Sequence, residues 1–303
     1  MTTSESAIHF APSPRDVVTM RTLGELGRFG NQFFQYAFVR TYARQHDLHY
    51  EVPAWIGQSL FGHVDPPISR QLPQFYEKVC HDVDDTFIPH LQSPLRNVDV
   101  VGFFQYHTSY YAPHRELIES LFAPIDSIAT ICRQALKRLK QIGDEVVALH
   151  LRRGDYGYSH FFIAPSLWYR GWLADQRGRW KRPVIFVATD DEAAIRREFA
   201  GVEMMTQRDL GLGLLPFPDF YLDFYILAQA NAVAISNSSF SFAACLLNRT
   251  ATQFARPVLP AQRLVAFDPW NSKPLLQDAT VEEYRHVLGI GRESAAATKP
   301  ARA

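Results

Sequence analysis

Three observations predict an α/β fold with parallel sheets. Short apolar strand-like runs alternate with segments of helical period along most of the chain. A strand, loop, helix order opens the chain at 16–42 and returns at 232–247, without any internal sequence repeat. Hydrophobic residues make up 47% and charged residues 20%, as in ordinary folded proteins, and 303 residues leave room for two domains. Such alternation covers a parallel sheet on both faces, and ligands then bind beyond the carboxyl ends of the strands.

The elements follow in order. Asp16–Met20 reads as a strand, and Gly24, Gly27 and Gly30 break it. Phe34, Ala37, Phe38, Thr41 and Tyr42 then recur as one buried face of a helix. Leu48–Val52 predicts a strand, Ala54–Pro73 an irregular segment, Val98–Phe104 a strand, and Pro113–Leu121 and Asp126–Ile142 helices, the second ended by Gly143. Beyond it, strands are expected at Glu145–Leu151, Val184–Thr189 and Ala232–Ser236, and helices at Pro165–Asp175, Asp219–Ala230 and Phe240–Leu247. Residues 1–14 and 291–303 read as disordered tails, too polar to order themselves.

Composition excludes several functions. Lys plus Arg and Asp plus Glu both number 31, so no bulk positive field draws in nucleic acid or an anionic membrane, and any anion needs a local site. Cys80, Cys132 and Cys245 lack metal-ligand or disulfide spacing. With neither a signal peptide pattern nor a run of 18 apolar residues, a cytoplasmic protein without a transmembrane segment is expected.

Four strings stand where loops leave strands or helices begin. Gly27-Arg28-Phe29-Gly30-Asn31 is either a tight turn or a loop whose bare N–H groups face a phosphate. His150-Leu151-Arg152-Arg153-Gly154-Asp155 ends the strand EVVALHL. Alternation puts His150 and Arg152 on one face, where an Arg fork suits pyrophosphate oxygens; pairing of either arginine with Asp155 or Glu145 is the structural alternative. Asp190 and Asp191 can accept from a guanine edge, ligate a cation, or cap the next helix, and the cap is favoured for this pair alone. Asp223 lies on a helix that precedes Asn237-Ser238-Ser239-Phe240-Ser241, which fits phosphate and ribose or a plain helix cap.

Taken together, GRFGNQ, GFFQYHTSYY, HLRRGDY, ATDD and the Asp223 to NSSFS spacing resemble the GDP-fucose-dependent fucosyltransferases: bacterial α1,2, α1,6 and protein O-fucosyltransferases. The likeness covers about residues 20–248. Phe242-Ala243-Ala244-Cys245-Leu246 departs from the α1,2 pattern, and ATDD is nearer the α1,6 form.

The resemblance implies a GT-B-like fold, two Rossmann-like domains with parallel sheets facing a central cleft. The first, 15–142, carries the glycine loop and the acceptor side; the second, 143–290, binds the GDP-sugar, with Val281–Leu288 packing back on the first. It implies inverting transfer of L-fucose from GDP-β-L-fucose to a hydroxyl of a glycan or other glycosylated or small-molecule acceptor, with no cofactor and no metal. Another GDP-hexose, or noncatalytic nucleotide-sugar binding, is the alternative. Arg152 would neutralise the β-phosphate, helped by Arg153 and the Gly27–Asn31 backbone. His150, Asp190, Asp191 and Asp223 would surround the nucleotide or position the arginines, and Asn237, Ser238, Ser239 and Phe240 its phosphate and ribose. His160, where α1,6 enzymes carry a Glu, is the expected base, ahead of Asp155 or Glu25.

Overall fold

The computed structural model of the protein describes residues 16–77, 88–157 and 161–276. Both expected tails, the 281–288 segment, Cys80 and His160 lie outside these described residues. The first sheet is built from β1 (Val17–Thr19), β2 (His49–Glu51), β3 (Gln74–Tyr76) and β4 (Val98–Val101), in the order β2-β1-β4-β3 and wholly parallel. Helix α1 (Phe29–Gln45) joins β1 to β2, and α2 (Ile56–Phe61) follows β2. Two of these elements go beyond expectation: α2 lies within the segment expected to be irregular, and β3 was not foreseen. Each is very short, and neither carries a full hydrophobic period.

Helix α1 is buried on nearly every side, not along one stripe. All its residues except Asn31, Arg40, Arg44 and Gln45 are buried. Its neighbours explain why, since it packs on β1 and β2, on α3 (Arg115–Leu121) and on a helix from the far end of the chain. Helix α4 (Asp126–Ile142) ends at Gly143 as expected.

The second sheet has β5 (Glu145–Leu151), β6 (Pro183–Thr189), β7 (Ala232–Ala234), β8 (Gln253–Val258) and β9 (Arg263–Ala266), in the order β6-β5-β7-β8-β9. All pairings are parallel except β8 with β9, an antiparallel edge beyond the foreseen elements. Helices α5 (Ser166–Gln176), α6 (Glu192–Glu198), α7 (Phe220–Gln229) and α8 (Ser239–Leu247) connect these strands, and α8 is the distant helix packed on α1. Residues alternate along β5: Val146 and Ala148 join the core under α4 and α7, while Leu149 and Leu151 join Tyr169, Ile195 and Phe199 under α5 and α6.

After β9 the chain crosses to the first sheet's side. Thr108 Oγ1 donates to the carbonyls of Pro269 (2.7 Å) and Ser272 (2.9 Å), and the Thr108 N–H also donates to Ser272. Cys132 and Cys245 are buried free thiols. No helix among the described residues is long and apolar enough to cross a membrane.

Candidate active site

The site forms where α1 and α8 begin, one at the carboxyl edge of each sheet. Gly30 meets the start of α8 so closely that a methyl group there would lie 2.7 Å from the Ser239 carbonyl carbon. A residue other than glycine would force the two helix starts apart. Neither N-cap residue, Arg28 for α1 or Ser238 for α8, closes its helix with a side-chain hydrogen bond. Two sets of backbone N–H groups are therefore left without side-chain caps at one spot, each at the positive end of a helix dipole.

Charged groups converge on the same spot. The Arg152 guanidinium donates to Asp155 Oδ1 through Nε (3.0 Å) and Nη2 (2.6 Å), and its Nη1 lies 3.1 Å from Asp190 Oδ2. Arg28, on the opposite side, reaches Asp155 Oδ2 at 3.4 Å. The Asp155 carboxylate thus sits between an arginine from each half of the chain. Burial works to raise its pKa, but the hydrogen bond from Arg152 and the charges of Arg152 and Arg28 outweigh it and hold the carboxyl below its usual range. Asp190 Oδ1 accepts the Arg153 backbone N–H (2.7 Å), so Asp190 clamps the loop as well as the guanidinium.

His150 is buried beside Phe240, its Nδ1 2.8 Å from both Ser236 Oγ and Ser241 Oγ. Burial, then the nearby Arg152 and Arg153 charges, push its pKa down to about 3, so the imidazole is neutral. On α7, Asp223 Oδ1 is buried with no hydrogen-bond partner among the described residues. Burial, followed by the charges of Asp219 and Glu192, pushes its carboxyl up to about 8.

Asn31 joins three segments. Its Oδ1 accepts from Ser239 Oγ and from Gln105 Nε2, both at 2.8 Å. The glycine loop beside it is held from below by α1: Gln32 Nε2 donates to the Gly24 and Gly27 carbonyls, and Gln35 Nε2 to those of Leu26 and Gly102. Gln32 and Gln105 stand within the GRFGNQ and GFFQYHTSYY strings, but neither they nor Gln35 have a role assigned from the sequence. A signal was available for two of them, because Gln32 and Gln35 are polar residues in an otherwise aromatic helix start.

Several expected site residues are used elsewhere. Arg153 turns to the α5 and α6 side, donating through Nη2 to Ser166 Oγ and Glu198 Oε2 (both 2.8 Å), so it does not assist Arg152. The chain has left β5 at this point, and the Arg153 side chain runs to the side where Leu149 and Leu151 pack, donating also to the Ala164 carbonyl. The Phe29 ring is buried among Phe61, Phe220, Phe224 and Phe240, with no ring face left for a nucleotide. Asn237 spends both amide atoms on the Leu276 backbone, and its Oδ1 also accepts from Arg256. Asp191 caps α6 by accepting the Ala194 N–H (2.9 Å), the favoured reading of that carboxylate. Gly27, with φ +74°, packs against the Asn31 side chain, and Gly154 packs against Asp190. A cavity of about 650 Å³ lies next to the junction, on the Arg153 side, bounded by Gly154, Ile163, Pro165, Leu167 and Glu198.

No protein-family model matches the chain. It is 26% identical over 253 residues to galactoside alpha-(1,2)-fucosyltransferase 2 of Oryctolagus cuniculus, covering 75% of this chain and 67% of that protein. The Gorilla gorilla gorilla protein of the same name is 26% identical over 277 residues, 82% of this chain and 76% of that one. Among solved structures, NodZ alpha-1,6-fucosyltransferase soaked with GDP-fucose superposes with a TM-score of 0.58 at 14% identity, over 84% of this chain and 99% of that one. POFUT1 in complex with GDP gives 0.51 at 15% identity, over 81% and 99%. The architecture is therefore GT-B-like, as expected.

Proposed function

We propose, from the likeness to galactoside alpha-(1,2)-fucosyltransferases in sequence and to NodZ and POFUT1 in fold, that the chain moves L-fucose from GDP-β-L-fucose to a hydroxyl of a glycosylated acceptor, with inversion and without a metal. One observation carries this: Arg28 and Arg152, from opposite halves of the chain, grip a single carboxylate beside two uncapped helix starts.

That arrangement is built for an anion. The donor's diphosphate displaces the half-exposed Asp155 carboxylate from both guanidiniums, while Asp190 continues to hold the loop. The acceptor oxygen attacks the anomeric carbon from the face opposite GDP, the bond from that carbon to the β-phosphate oxygen breaks, and the negative charge grows on the diphosphate. Fixed donors are most effective against charge that grows in the transition state. Arg152 and the N–H groups at the starts of α1 and α8 supply them.

Burial keeps His150 an uncharged ring, able to donate to or accept from the nucleotide. The buried Asp223 oxygen, unpartnered among the described residues, suits an N–H donor on a nucleobase edge. We divide the chain near residue 143, with donor contacts mainly beyond it and the acceptor side before it. His160, outside the described residues, takes the acceptor proton. Its role predicts loss of transfer below about pH 6.5, the ordinary histidine pKa.

The test is a donor panel. GDP-fucose should bind and turn over, slowly hydrolysing without acceptor, while GDP-mannose should not turn over. EDTA should leave the rate unchanged, and the product anomer should read as inverted by NMR. Binding of GDP-fucose without any turnover or hydrolysis would overturn catalysis.

A further inference from the structure

We propose that Gln105, a residue without a role in the site so far, is the positioning residue that makes Asn31 a hydrogen-bond donor toward the donor substrate's diphosphate. The inference rests on the GDP-sugar function proposed above.

The geometry begins with the loop that carries Gln105. Strand β4 stops at Val101, and the next residues turn sharply across the carboxyl edge of the first sheet. Glu77 Oε2 accepts the N–H groups of both Phe103 (2.7 Å) and Phe104 (2.8 Å). Gln35 Nε2 donates to the Gly102 carbonyl at 3.0 Å, and the Tyr111 hydroxyl donates to that of Phe104. Phe104 itself has φ +52°, a left-handed conformation that a bulky residue adopts only when its surroundings impose it. The backbone is thus pinned from several sides immediately before Gln105, and the side chain that emerges is aimed, not free.

It is aimed at Asn31. An amide has one accepting oxygen and one donating nitrogen, and a partner that fixes the oxygen decides where the nitrogen points. Gln105 Nε2 and Ser239 Oγ both donate to Asn31 Oδ1. Its Nδ2 makes no hydrogen bond among the described residues and lies toward Gly27, where a methyl group would come within 2.8 Å of Asn31 Cγ. With its acceptor occupied twice, Asn31 has only N–H groups left to offer a ligand at the glycine loop, one residue before Arg28. A diphosphate oxygen accepts from such a group, whereas a reversed amide would present a lone pair to an anion.

The experiment replaces Gln105, which is only partly buried, with Glu and with Ala, and measures binding of GDP and of guanosine by calorimetry. Glu accepts but cannot donate when ionised, so it turns Asn31 around; Ala only releases it. A hydrogen bond to a charged group implies that the GDP Kd rises about tenfold or more in Gln105→Glu and a few-fold in Gln105→Ala. Guanosine, which has no phosphate, should bind within about twofold of the parent in both. Equal loss of GDP and guanosine, or a GDP Kd in Gln105→Glu no worse than in Gln105→Ala, would overturn the positioning role. Failure of the unmodified protein to bind GDP would instead overturn the function on which it rests.

Discussion

The carboxyl edges of the two sheets meet at one site but are built from different chemistry. The first sheet's edge is scaffolded mostly by neutral amides, with the Glu77 carboxylate holding the N–H groups of Phe103 and Phe104 as its charged member. Gln32, Gln35, Gln105 and Asn31 tie the glycine loop, the 102–105 turn and α8 together. The second sheet's edge is scaffolded by charge. Arg152 is held by Asp155 and Asp190, and Arg153 by Glu198. Neutral amides fix direction and are nearly indifferent to pH and salt, while ion pairs supply the potential that a diphosphate needs and respond to both.

This contrast can be broken by mutation, and the largest effect belongs to the charged edge. Arg152→Ala should lower the transfer rate by about 10²–10³-fold while leaving a folded protein, as seen by circular dichroism and turnover assays. Unchanged turnover would remove Arg152 from the mechanism.

The second effect is on packing at the junction. Gly30→Ala should destabilise by about 1–3 kcal/mol, measured by urea unfolding, because the new methyl group meets α8 backbone and not a movable side chain. A neutral result would show that the two helix starts can separate freely.

Breaking the brace behind the motif should cost less. Glu198→Gln leaves the buried Arg153 guanidinium without its carboxylate, and because that carboxylate is partly exposed the loss should be about 1–2 kcal/mol, below that of a fully buried pair. Transfer should fall only modestly, since Arg153 faces away from Arg152's partners. A loss of transfer as deep as that of Arg152→Ala would place Arg153 in the site after all.

The remaining expected effect is on pH dependence. Asp223 has its pKa raised to about 8 in the folded chain from a carboxylate's ordinary value near 4. Between those values the native state binds the extra proton, so stability from this group falls as pH rises through the window and levels off above it. Asp223→Asn should therefore flatten the fall in Tm between pH 5 and pH 8 by at least about 2 °C. An identical pH profile would mean that the group titrates normally.

The elements that could be read in advance are those whose burial follows a single period. Helix α4 and strand β5 are examples, each facing its core on regular residues. Helix α2, at six residues, makes fewer than two turns, and strands β3 and β9 have three and four residues, too little pattern to predict an element. The same limit held at the site. His150 and Arg152 stand at the end of β5, where a local pattern can place them, but the turn of Arg153 toward Glu198 falls beyond Leu151, where the strand has ended and its alternation no longer applies. By contrast, the pairing of Asn237 with Leu276, 39 residues away, leaves no local trace.

The sequence alone determined which chemical groups stand at strand ends and helix starts, because turns, glycines and apolar periods act over a few residues. Only tertiary structure decided which of those groups look at one another. Arg28 and Arg152 share Asp155, and Asn31 is shared by Gln105 and Ser239, across separations of up to 208 residues. Such meetings depend on how two sheets close around α1 and α8, a packing that the whole core sets and no local pattern encodes.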